Sequence, residues 1–235
     1  QIQNSNLLDR WIISKLHNLI SEVTSNLDKY EPTSAARAIE KFVVEDLSNW
    51  WLRRSRKRKE ALGLLRFVLL ELAKVIAPFI PFTAEDIYAR LRSNRQLPIS
   101  NSQFPMNEPE LIHLTDWPKI EKKWLDEKLE KEMDEIRSLI AEGLALRKAN
   151  QIKVRQPLRS TKLGLSNEFP ADLEGLVKDE LNVKNIIYDR SQQEKITLDM
   201  ELDQALINEG YARELMRQIQ DMRKEAKYRL DEKVF

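Results

Sequence analysis

Cysteine is absent from all 235 residues, which excludes disulfides and thiolate metal sites. Histidine occurs only twice, at His17 and His113, too few for a typical zinc site and too distant for an activated nucleophile–base pair. The five glycines, Gly63, Gly143, Gly164, Gly175 and Gly210, are too scattered to form a phosphate-cradling loop. With 33% charged residues, this scarcity favours long solvent-facing helices over sheets and tight turns. No apolar run spans a bilayer, because the longest, around Leu64 to Ile76, is broken by Arg66, Glu71 and Lys74. Net charge is also nearly missing, with Lys+Arg 39 against Asp+Glu 38. Asp and Glu mostly alternate with Lys on outer faces, where a solvated role is the rule. No active site is legible. Without a secretory signal, a soluble cytoplasmic protein is the economical expectation. The chain begins Gln1-Ile2-Gln3 rather than with Met and stops at Val234-Phe235, and it reads as a piece of something longer.

What is present is local. Six of the seven residues from Arg53 to Lys59 are basic, and they follow directly on Trp50 and Trp51. A basic cluster on an otherwise neutral chain suits a polyanion that docks at one place. Arginines offer planar forks for phosphates, and tryptophans offer faces for unpaired bases. The alternative is a solvated helix end whose cations meet the C-terminal dipole.

With 42% hydrophobic residues the chain can bury a core, and its length allows one or two domains. Leu8, Trp11, Ile12, Leu16, Leu19, Val23 and Leu27 recur at helical spacing, with His17 on the polar side. Pro32 ends that segment, and Thr33 or Ser34 caps a second helix with Ala36, Ile39, Phe42, Val43, Leu47 and Trp50 inward. The segment Ala61 to Ile76 is apolar nearly all round, as for a central bundle helix. Thr83 with Asp86 resembles a capping box for a short helix to about Arg92. Residues 93–118 read as a long loop, and a helix rich in both charges follows from Lys119 to Lys148, with Leu125, Leu129, Met133, Ile136, Ile140 and Leu144 as its apolar stripe. After Pro157 the pattern changes: strands at Thr161–Leu165, Val183–Tyr188 and Lys195–Leu198, a helix from Ala171 to Leu181, and a last helix from Asp203 to Arg229 striped by Ile207, Tyr211, Leu215, Ile219 and Met222. The expectation is a mainly α protein: a helical bundle over 1–157, then a small α/β subdomain over 158–235.

Three strings carry a family resemblance: Ser5 to Ile12, Tyr30 to Arg37, and Phe42 to Arg56 with its Ser48-Asn49-Trp50-Trp51-Leu52-Arg53-Arg54-Ser55-Arg56 core. Together with Ala77-Pro78-Phe79-Ile80-Pro81-Phe82 and Ile152-Lys153-Val154-Arg155-Gln156-Pro157-Leu158, they resemble the C-terminal region of the isoleucyl-tRNA synthetases, a class I family. The resemblance covers essentially the whole chain and implies a helical anticodon-binding domain followed by a smaller unit. It implies isoleucine tRNA as partner, and catalytic and editing domains in cis that lie outside this sequence. The His-Ile-Gly-His and Lys-Met-Ser-Lys-Ser signatures that serve ATP in that family are absent here. ATP and Mg therefore belong to the missing catalytic domain, and no cofactor is expected in this part.

On this footing the expected tRNA contacts are Arg53, Arg54, Arg56, Lys57 and Arg58, with Lys153, Arg155 and Gln156 at the change of pattern. In a continuing helix Arg53, Arg56 and Lys57 share one face and Arg54 and Arg58 another, so one set pairs with the protein body. Trp50 and Trp51 point about 100° apart on an α-helix. Trp50 continues the apolar stripe, leaving Trp51 as the stacking candidate. Arg147 and Lys148 are further candidates, and Asn150 reads as a turn or C-cap residue. Two other readings stay open: a docking module using the charged helix, and a generic RNA chaperone using the basic run.

Overall fold

Asn6 opens the first helix, its side-chain oxygen accepting from the Leu8 N–H at 3.0 Å, and α1 runs Leu7–Asp28. The structure, a computed structural model, describes residues 6–93, 109–165 and 167–228. It is mainly α with one small sheet, and it divides into two compact units between Glu130 and Lys131.

In the first unit α1 packs against α2 (Pro32–Lys41), the helical stretch that continues it, and α4 (Ala61–Ile76). Leu8, Trp11, Ile12, Ile13, Leu16, Leu19, Ile20 and Val23 of α1 are buried, a wider face than one apolar stripe. The segment before α6 (Glu127–Ala149) explains the width. Trp117 Nε1–H donates to Thr24 Oγ1 at 2.9 Å, the Glu121 N–H to His17 Nδ1 at 3.4 Å, and the Asp126 N–H to Ser14 Oγ at 2.9 Å. His17 is therefore buried rather than on a polar face. The same contacts delay α6: Lys119–Glu121 stays outside any helix, and Asp126 caps the helix by accepting from the Leu129 N–H at 3.1 Å. Prolines act as starters here. Pro32 occupies the first turn of α2 behind Glu31, with no cap from Thr33 or Ser34, and α5 (Pro81–Ser93) begins at Pro81 rather than after Thr83. Part of the expected 93–118 loop lies outside the described residues; Ile112–Leu114 within it forms a 3₁₀ turn.

Burial pushes the His17 imidazole below its ordinary 6.5; nearby Glu121 opposes this and Lys123 adds to it. The unfolded chain then binds this proton more readily than the folded one. Stability from this site is complete above pH 6.5 and declines as pH falls below it. Unfolding midpoints measured from about pH 8 to pH 5 should fall on the acid side, and His17→Gln should flatten that step.

The second unit holds the sheet. Strand β1 (Leu158–Leu163) is central, parallel to β2 (Val183–Tyr188) and antiparallel to β3 (Ile196–Leu198). β1 starts three residues earlier than expected because Leu158 already pairs with Val183, and its N–H donates to Asn182 O at 3.0 Å. Helix α7 (Ala171–Leu181) joins the parallel pair and buries Leu173, Val177 and Leu181. Gly143 of α6 faces this core: a Cβ there would lie 2.6 Å from Leu181 Cδ2 and 3.1 Å from Ile196 Cδ1. The later part of α6 is thus built into the α/β unit, and the boundary expected at 157 lies inside that unit. Helix α8 (Gln204–Glu225) starts on an Asp203 cap and buries only Leu206 and Gly210. Its expected core stripe is open instead, with Tyr211 72% and Met222 67% exposed.

Candidate nucleic-acid interface

The basic run stands at the end of an unusual helix. After α2 the winding becomes π-helical over Phe42–Leu52 and closes in a single α-turn, α3 (Arg53–Ser55). An i→i+5 ladder puts more residues into each turn than the 3.6 of an α-helix, so residues five apart come into line. Phe42 then aligns with Leu47, and Asp46 with Trp51; all four are buried. The inner face of α2 shifts likewise to Ala35 and Ile39, leaving Ala36 exposed.

This phase slip exchanges the two tryptophans. Trp51 is 0% exposed, and its Nε1–H donates to Asp9 Oδ1 at 2.8 Å. It has no face to offer a base, and the stacking role expected of it is withdrawn. Trp50 is half-buried, with the Arg54 guanidinium 3.7 Å from its ring centroid and Arg54 Nη1 donating to its carbonyl at 3.0 Å. Arg58 also turns inward. Its fork donates to Asp9 Oδ2 at 2.9 Å and Oδ1 at 2.7 Å, and Nη2 reaches Ser55 Oγ at 2.7 Å. Hydrogen bonding to Asp9 raises the Arg58 pKa despite the opposing effect of burial. Arg54 and Arg58 are therefore committed to the protein body. Arg53, Arg56, Lys57 and Lys59 are exposed, and Arg56, Lys57 and Lys59 form no ion pair among the described residues. The grouping is the one expected of a continuing helix, but the helix stops at Ser55 and Arg56 to Lys59 lie beyond it, so helical spacing does not produce the split.

A second group of cations stands in the α/β unit, where α6 ends without glycine. Gln151 takes the left-handed conformation at φ 57; its N–H donates to Lys148 O at 3.1 Å and the Ile152 N–H to Arg147 O at 2.9 Å. This pair of bonds is a Schellman closure with Gln151 at its left-handed position, which leaves Asn150 as the C-cap residue expected of it. Asn150 also donates from Nδ2 back to Leu146 O. Lys153, Val154 and Arg155 follow, all exposed. Gln156 is not: its Nε2 donates to Leu206 O at 2.8 Å and Pro157 O at 3.1 Å. Gly210 lies so close that a Cβ there would come 2.1 Å from Gln156 Oε1. Gln156 thus docks α8, and its amide is not free to read a base.

Arg147 also departs from expectation, being 0% exposed. Nη1 donates to Lys153 O at 3.1 Å and Gln156 O at 2.9 Å, and Nη2 to Asn182 O at 3.1 Å. Desolvation lowers its pKa to about 10. The sequence held a signal for this: Met133, Ile136, Ile140, Gly143 and Arg147 follow one another at helical spacing, so Arg147 lies on the inward stripe. Asp9 had no such signal, since its partners lie 42 and 49 residues away.

Among the described residues no group of three or more His, Asp or Glu side chains could hold a metal ion, and no helix is long and apolar enough to cross a membrane. Residues 9–162 match the family model described as the anticodon-binding domain of tRNA ligase. Among curated proteins the chain is similar to the isoleucine–tRNA ligase of Protochlamydia amoebophila, 36% identical over 207 residues covering 81% of this chain and 18% of that protein. It is similar also to that of Clostridium tetani, 34% identical over 220 residues (89% and 20%), and that of Dehalococcoides mccartyi, 36% identical over 253 residues (95% and 24%). The chain thus spans 18–24% of the length of these relatives.

Proposed function

Since the chain belongs to the family of anticodon-binding domains of tRNA ligases, we propose that it binds the anticodon stem-loop of isoleucine tRNA. On this reading it positions that tRNA for ATP-dependent aminoacylation by a catalytic domain elsewhere in a longer, cytoplasmic polypeptide, an isoleucine–tRNA ligase. ATP and Mg would be held there, with editing in a further domain.

The observation that carries the reading is the exposed set Arg53, Arg56 and Lys57 beside a helix end rigidified by Asp9. Asp9 satisfies Trp51 and Arg58 together, so α1 is joined to the end of the π-helical stretch by buried polar bonds. The outward cations then project from a fixed base toward phosphate oxygens. Lys153 and Arg155 are proposed as contacts from the second unit. Within the first unit Trp51, Arg54 and Arg58 support the exposed cations from beneath, and within the second Gln156 holds the end of its own turn.

Titration of the chain with isoleucine tRNA across a salt series tests this. Log affinity should fall with log salt at roughly 0.7 to 0.9 per phosphate contacted, and unrelated tRNA should compete poorly. A docking module would show no such salt dependence, and a chaperone would show it without selectivity.

A further inference from the structure

Arg147 is a charge in a place that demands a reason. A guanidinium taken out of water without a carboxylate is costly, and among the described residues this one is held by backbone carbonyls alone, with no partner there for Nε. Those carbonyls are informative. Lys153 O and Gln156 O bracket the exposed tripeptide Lys153-Val154-Arg155, and Asn182 O belongs to the residue that holds its middle, because Asn182 Nδ2 donates to Val154 O at 2.9 Å. Asn182 is itself fixed: it sits in the left-handed conformation at φ 49, and Arg213 Nη1 donates to its Oδ1 at 2.8 Å.

The carbonyls of 153, 154 and 156 are thus all bonded from the protein side, while the side chains of 153, 154 and 155 are all exposed. Neither Lys153 nor Arg155 forms an ion pair among the described residues. Glu214 of α8 senses both cations, but its carboxylate is bonded to Arg217. A mobile loop would have to be ordered when its cations met a ligand; this turn is ordered in advance.

Resting on the reading of the chain as a tRNA-binding domain, we propose that Arg147 is a positioning residue. It holds the turn Lys153–Arg155 in its RNA-bound shape, so that both cations meet phosphates of the tRNA backbone at little ordering cost. Arg147 touches no RNA itself.

The test titrates isoleucine tRNA against the whole chain over a salt series, with unfolding followed on every variant. The double substitution Lys153→Gln/Arg155→Gln should weaken binding and lower the salt slope by about one to two units. Asn182→Gly keeps the left-handed conformation and removes the tether on Val154; it should weaken binding roughly two- to tenfold. Arg147→Lys, whose single ammonium cannot span three carbonyls, should do at least as much. The decisive readout is non-additivity: in the Lys153→Gln/Arg155→Gln background, Asn182→Gly and Arg147→Lys should change affinity no further. If they weaken binding equally in both backgrounds, Arg147 is only a structural bond and the proposal is overturned. Should an Arg147 variant fail to fold, Asn182→Gly alone decides. A double variant that binds like the parent, while Arg53 and Arg56 variants lose affinity, removes this turn and leaves the main reading standing. Loss of all tRNA binding by the parent chain removes both.

Discussion

Trp51→Ala is expected to destabilise the first unit by about 3–5 kcal/mol, the range for deleting a fully buried aromatic side chain. The indole is 0% exposed, and its loss also strips one donor from Asp9. Asp9 would keep the Arg58 fork, which limits the second effect to about one hydrogen bond, roughly 1 kcal/mol. Trp50→Ala should cost far less, since that ring is half-buried and packs against the Arg54 guanidinium. Denaturant unfolding of the two variants side by side measures the difference. A larger loss for Trp50→Ala would mean that the helix keeps α-helical phase through Phe42–Leu52, and the π-helical account would fall.

Replacing Arg53, Arg56 and Lys57 together by Gln should weaken tRNA binding on the order of a hundredfold near 0.1 M salt, if each touches one phosphate. The salt slope should fall by about two to three units, and the unfolding midpoint should stay near that of the parent because all three side chains are exposed. Arg54→Gln is the internal control: its guanidinium lies on Trp50, so the slope should not move. A triple variant with the parent's slope would show that this helix end is a solvated surface.

These two experiments bear on what the sequence disclosed and what it hid. Periodicity set the bounds of α4 at Ala61 and Ile76, of α7 at Ala171 and Leu181, and of β2 at Val183 and Tyr188, because each has strong local pattern and clear punctuation. Two groups within the basic run could be expected from a continuing helix, but which of them turns inward was not legible, and the helix itself ends at Ser55. The exchange of Trp50 and Trp51 was not, since a stretch of i→i+5 winding alters the phase that a 100° wheel assumes. The left-handed conformations at Tyr30, Gln151 and Asn182 were hidden, although the helix ends beside them were not, because such a position is usually signalled by glycine. His17 read as polar surface because its cover, Trp117 to Asp126, comes from a hundred residues away. The stripe on α8 has helical periodicity, yet past Gly210 it finds no cover among the described residues: a pattern reports which face is apolar, not whether anything lies against it.

Competition between isoleucine tRNA and the same transcript carrying a swapped anticodon tests the central claim most directly. The two share their phosphate backbone, so electrostatic attraction alone cannot tell them apart. The chain should prefer the native transcript at moderate salt, and the preference should survive as salt rises and non-specific binding fades. Equal affinity for both transcripts across the salt series would contradict anticodon recognition and leave a basic RNA-binding surface without selectivity.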